Sequence, residues 1–206
     1  MFDPFKDFET AGYLRNVRRV KNAEVVKHFE HNLFRAHIDQ ALSYLASCQE
    51  IEYHNYLKVH HILFADYYPW AGKDRAAVAP TISVNKGTVI FAHPLSAQLA
   101  VEAALRMGAD TQNMCKKPGE VMGLMAYGHP FLDGNGRTMF LVHMELCYRA
   151  GFSIAWDRVK PTDFLNVLAE EIDQPGKGIL NSYLLQFKGP ALHIGSWGQT
   201  SGRFCE

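Results

Sequence analysis

Cysteine is scarce and scattered in this chain: Cys48, Cys115, Cys147 and Cys205 are all there are in 206 residues, and no two form a Cys-x-x-Cys pair. That spacing excludes a zinc ribbon and a disulfide framework, and it fits a reducing compartment. An excess of one charge is also lacking, since Lys+Arg and Asp+Glu stand at 21 each. With no global field, neither nucleic acid nor an anionic membrane is expected as a partner. No run approaches the roughly 20 apolar residues of a membrane span. The opening Met-Phe-Asp-Pro-Phe-Lys-Asp-Phe carries acids where a signal peptide has an apolar core. The expectation is a soluble, cytoplasmic protein without repeats or low-complexity tracts.

What is present is enough apolar material, 48% of the residues, to bury a core without covalent staples. One domain is expected over residues 1–188, followed by a Gly/Ser/Thr-rich, loosely ordered tail over 189–206. Apolar residues at three-and-four spacing predict helices over 23–45, 53–64, 95–107, 117–127 and 138–150, with two more over 161–173 and 178–187 separated by Pro175-Gly176. The one extended segment is Thr81–Val84 with Val89–Phe91, read as a β-hairpin around an Asn85-Lys86-Gly87 turn. The fold class is therefore all-α, a bundle of about seven or eight helices carrying one hairpin.

The chemistry concentrates in His129-Pro130-Phe131-Leu132-Asp133-Gly134-Asn135-Gly136-Arg137. Glycines flanking Asn135 permit a turn in which successive N–H groups converge on one anion, and Arg137 adds a planar cation. Placed before the predicted helix at Thr138, this cradle lies at a helix N-terminus, where the dipole favours phosphate. Gly134, Asn135, Gly136 and Arg137 are thus candidate nucleotide-phosphate ligands. Asp133 supplies the hard oxygen that Mg2+ takes from protein. His129 is the candidate general base, because its ordinary pKa lies near working pH. His28, His31, His37, His54, His60, His61, His143 and His193 stand in no such company and are given no catalytic role. Phe131 reads as a core anchor, and Tyr68 and Trp70 as packing residues; Arg75 stays undecided.

The motif resembles the signature of the Fic family, His-x-Phe-x-(Asp or Glu)-Gly-Asn-Gly-Arg-x-x-Arg, at every position to Arg137; Phe140 stands where the last Arg falls. Tyr68-Pro69-Trp70-Ala71-Gly72 with Arg75, and Ser83 to Pro94, resemble two further family segments in the same order. The resemblance implies the Fic fold. It also implies transfer of a nucleoside monophosphate, usually from ATP with Mg2+, to a Ser, Thr or Tyr hydroxyl of a protein acceptor. Val84, Asn85, Lys86, Gly87, Thr88 and Val89 then form a flap whose free edge docks the acceptor as an added strand. In the family the missing Arg holds the γ-phosphate end and receives an inhibitory glutamate. Its motif, (Ser or Thr)-x-x-x-Glu-(Gly or Asn), occurs nowhere here. Phe140 accordingly admits a donor other than ATP, such as UTP or a diphosphate-linked group, and an Arg restored at 140 is expected to raise the preference for a triphosphate. Arg75 or Arg149 is the alternative phosphate cation. A Fic-fold binding module without catalysis and a metal-dependent phosphodiesterase are the competing functions. The acceptor, a separate antitoxin and delivery into a host cell are left open by the sequence.

Overall fold

The computed structural model describes residues 3–87 and 89–192. After the short α1 (Phe8–Ala11), the long α2 spans Ala23–Ser47, capped by an Asn22 side chain that accepts from the Glu24 and Val25 amides. The next helix, α3 (Tyr53–Phe64), opens on a reciprocal capping box between Glu52 and Asn55, which satisfies two end amides at once. A four-residue α4 (Arg75–Val78) precedes α5 (Pro94–Ala109) and α6 (Thr111–Lys116). The remaining helices are α7 (Pro118–Gly128), α8 (Asn135–Arg149), α9 (Pro161–Asp173) and α10 (Ile179–Leu185). Proline occupies the first turn of α5, α7 and α9, where its missing N–H costs nothing.

All-α architecture is borne out, and α3 and α9 have the bounds that periodicity predicts. Helices α1, α4 and α6 are too short for a periodic signal. The largest correction concerns α8, which begins at Asn135 and not at Thr138. Asn135, Gly136 and Arg137 are therefore its first helical turn. Helix α7 packs against α5, α8, α9 and α10, and α8 is buried through most of its length, from Thr138 to Cys147. A helix enclosed in this way forms the core of the bundle and holds its N-terminus fixed.

The hairpin is present with a different register of parts: β1 (Asn85–Lys86) pairs antiparallel with β2 (Val89–Ile90). Asn85 and Lys86 are thus strand and not turn. Gly87, at φ 62°, leads into the reversal, and Thr88 lies outside the described residues. A second pair, β3 (Phe152–Ile154) with β4 (Lys188–Pro190), was not expected. It carries paired backbone to Pro190, into the stretch expected to be loosely ordered.

Candidate active site

The motif runs from the end of α7 to the start of α8. His129 caps α7 in the left-handed region, at φ 41° and ψ 55°, which turns the chain sharply out of the helix. The loop is then closed across its neck by Asn135. Its Nδ2 donates to the Phe131 carbonyl and its Oδ1 accepts from the Phe131 amide, both at 2.8 Å. With both ends of the side chain spent, Asn135 staples the loop, and only its backbone is left for a phosphate.

Of the two flanking glycines, one is needed for the turn. Gly134 sits at φ 75°, and a β-carbon there would come within 2.5 Å of the Phe64 ring. Gly136 is helical and exposed, and a β-carbon on it would meet nothing within 4 Å among the described residues. Its small size keeps open the space before the first turn of α8. The Gly134 amide already donates to Asp133 Oδ1 at 2.6 Å. The donors without helical partners are those of Asn135, Gly136 and Arg137, and they provide the positive end that an anion seeks.

Asp133 Oδ1 is engaged, whereas Oδ2 takes no hydrogen bond or ion pair among the described residues. A half-exposed carboxylate with one free oxygen beside an open helix N-terminus fits a divalent cation that retains water and phosphate ligands. Arg137 is less available. Its Nη2 lies 3.2 Å from Glu30 and 3.5 Å from Asp133, its guanidinium covers the Phe64 ring, and Nη1 is buried without a hydrogen-bond partner among the described residues. Glu30, only 1% exposed, sits at the centre of this cluster. Burial first, and the Asp133 charge second, push its carboxyl up to about 7, against the pull of Arg137.

His129 is half-buried beneath the flap, its imidazole stacked on Phe91 with centroids 3.9 Å apart. Burial, reinforced by the charges of Arg75 and Lys86, lowers it to about 3, so the ring is neutral and has a lone pair free to take a proton. Lys86 thus acts on the base from the flap. Arg75, undecided from sequence, is a structural clamp with no exposure. It donates to the carbonyls of His129 (2.8 Å), Ala92 (2.7 Å) and Ile82 (3.2 Å), tying the motif to both ends of the flap. Arg149 is committed at the far end of α8 to Glu145 and the Leu45, Cys48 and Gln49 carbonyls. Neither stands in for the missing Arg. Phe140 is 8% exposed and packed on Trp156 at 4.7 Å.

Phe131 is a core anchor, fully buried between Tyr56 and His60. Tyr68 and Trp70 are likewise buried, the indole donating to the Leu14 carbonyl at 2.8 Å. His60 is the residue that sequence reasoning passed over: fully buried, pushed down to about 3 by that burial, and bonded to both Gly72 and Asp133. Of the proposed flap, Val84 accepts from the Phe91 amide, Val89 is buried, and Asn85 and Lys86 are exposed.

Comparison with known proteins gives this geometry a context. Residues 50–147 match the model of the Fic/DOC family. The protein adenylyltransferase VbhT of Bartonella schoenbuchensis is 30% identical over 175 residues, which cover 77% of this chain and 33% of that protein. The chain therefore spans about a third of that relative's length. A probable protein adenylyltransferase, y4lH of Sinorhizobium fredii, is 26% identical over 75% of this chain and 81% of its own. The solved structure of the Bartonella tribocorum effector BepC, with bound AMPPNP, superposes with a TM-score of 0.67 at 17% identity, covering 85% of this chain and 91% of that one. No described helix is long and apolar enough to cross a membrane.

Proposed function

We propose that this chain, whose residues 50–147 match the Fic/DOC family model, is a Fic-domain protein adenylyltransferase, moving the AMP group of ATP to a hydroxyl side chain of another protein. The observation that carries the proposal is the convergence, on one stapled turn, of a neutral His129 with an Asp133 oxygen and first-turn α8 amides that have no partner among the described residues. The similarity to VbhT, a protein adenylyltransferase, and y4lH, a probable one, supports the same reading.

In this reading the acceptor hydroxyl gives its proton to His129 as its oxygen bonds to the α-phosphorus, and the bond from that phosphorus to the β-phosphate bridging oxygen breaks. Pyrophosphate leaves. The amides of Asn135, Gly136 and Arg137 lie where charge develops on the phosphates, preorganised by the buried helix behind them. Mg2+ held through Asp133 Oδ2 would neutralise part of the phosphate charge. Arg137 contributes its backbone first, because its side chain is engaged with Glu30 and Asp133. Arg75 holds the flap over His129, and the flap edge registers the acceptor. The missing cation at Phe140 is the one observation favouring a second reading, in which the donor is UTP or a diphosphate-linked group.

Incubating the chain and a cell lysate with ATP labelled on either the α- or the γ-phosphorus tests the proposal. Measured above lysate without the chain, protein-bound label from the α-position alone is the expected result. Chain-dependent label from the γ-position would show phosphate transfer and overturn it.

A further inference from the structure

The metal-binding carboxylate of the proposed site does not set its own direction. Asp133 Oδ1 is held by the Gly134 amide at 2.6 Å, so the carboxylate points where the Asp133–Gly134 peptide plane lets it point. The other side of that peptide, the Asp133 carbonyl, lies 3.0 Å from His60 Nε2. His60 comes from the middle of α3, 73 residues away in sequence. Its second nitrogen, Nδ1, accepts from the Gly72 amide at 2.9 Å. A backbone N–H can only donate, so Nδ1 carries the lone pair and the single ring proton is on Nε2, aimed at the Asp133 carbonyl. The ring has no freedom to do otherwise. It is fully buried and stacked on Phe131 at 3.7 Å, between Phe64 at 4.9 Å and Trp70 at 5.7 Å.

We propose that His60 is a positioning residue that aims the Asp133 carboxylate, through a continuous line of hydrogen bonds from the Gly72 amide to Asp133 Oδ1. The line couples the turn after α3 to the motif loop and leaves Asp133 Oδ2 directed outward for a cation. Gly134 belongs to the device, since a β-carbon on it would also come within 3.1 Å of His60 Nε2. Partners that orient metal-binding carboxylates typically account for about 10- to 100-fold in metal affinity. The role rests on the adenylyl-transfer reading only in that the cation is the one accompanying ATP.

Two substitutions separate the two bonds while removing the same aromatic stack. His60→Asn keeps an acceptor at the position of Nδ1 and deletes the donor to Asp133; His60→Gln keeps a donor at the position of Nε2 and deletes the acceptor for Gly72. ATP binding is titrated calorimetrically against Mg2+ concentration, with melting temperature recorded alongside. His60→Asn should need roughly tenfold or more Mg2+ for half-maximal ATP binding. His60→Gln should stay within a few-fold of wild type at a similar melting temperature. Equal shifts in both, or none in either, with ATP binding by wild type intact, would overturn this role alone. A wild type that binds no ATP with Mg2+ would overturn the functional reading and this role with it. Nitrogen NMR of the imidazole in unaltered protein needs no variant to fold: a proton on Nε2 is expected at neutral pH, and a proton on Nδ1 or on both nitrogens would overturn the proposal.

Discussion

Phe91 of the flap lies on the imidazole of His129, ring planes 20° from parallel. The flap therefore both covers the proposed base and lowers its pKa, because burial is the first cause of the shift to about 3. A histidine base works only when neutral, so a low pKa keeps it competent on the acid side. Wild-type kcat/KM should show no acidic limb from His129 between about pH 5 and 8. Phe91→Ala, which uncovers the ring, should raise that pKa toward 6.5 and introduce one. Superimposable pH profiles would show that Phe91 does not set the environment of the base.

The free edge of the flap has a defined residue. Antiparallel pairs alternate between hydrogen-bonded and open, and the Phe91 amide donates to the Val84 carbonyl at 3.2 Å, so the Asn85–Ile90 pair is an open one. The Asn85 backbone consequently faces outward, while those of Val84 and Lys86 face the partner strand. Asn85→Pro should weaken acceptor modification several-fold with ATP binding unchanged. Equal loss in both measurements would count against strand addition as the docking mode.

At Phe140 the structure redirects the sequence-based expectation. An arginine there would replace a ring that packs on Trp156 in the core. Phe140→Arg should cost several kcal/mol in urea unfolding and leave the ATP-to-ADP preference unaltered. A well-folded variant with about tenfold greater preference for the triphosphate would restore the phosphate role of that position.

His60 and His143 are fully buried, with pKa values lowered to about 3 and about 4 from 6.5. Below pH 6.5 the unfolded chain binds protons that these folded rings refuse, so stability falls as pH drops. Each contributes about 1.4 kcal/mol per pH unit until its folded pKa is reached. Glu30, raised from 4.5 to about 7, binds its proton in the folded state first and offsets one of these rings over pH 4.5 to 6.5, while His129, lowered to about 3 as well, adds to the fall. The urea midpoint should therefore fall with acid through that window. His143→Gln, which keeps a donor for the Pro118 carbonyl, should flatten the fall. A flat wild-type profile would contradict the burial of these rings as neutral groups.

How far the sequence could be read follows from the range of each interaction. His129, Asp133 and Gly134 were legible because their arrangement is fixed within a few residues by local geometry. Tyr53–Phe64 and Pro161–Asp173 were legible because apolar spacing marks both, a turn-rich stretch follows the first and a first-turn proline opens the second. Gly136 misled: flanking Asn135, it reads as a turn residue, yet it lies in the helix and serves by leaving space. Glu30, His60 and Arg75 act across separations of 107, 73 and 54 residues, which no spacing rule reveals. Lys188–Pro190 has no strand composition and pairs only because Phe152–Ile154 offers it an edge.

The central claim is that His129 acts on the acceptor hydroxyl during adenylyl transfer. Intact-mass measurement of the protein and of lysate acceptors, after incubation with ATP and Mg2+, tests it most directly with wild type and His129→Ala side by side. The account predicts the mass of one or more adenylyl groups with wild type and none with His129→Ala, while the variant still folds and binds ATP. Equal modification by both, or an added mass of phosphate alone, would contradict it.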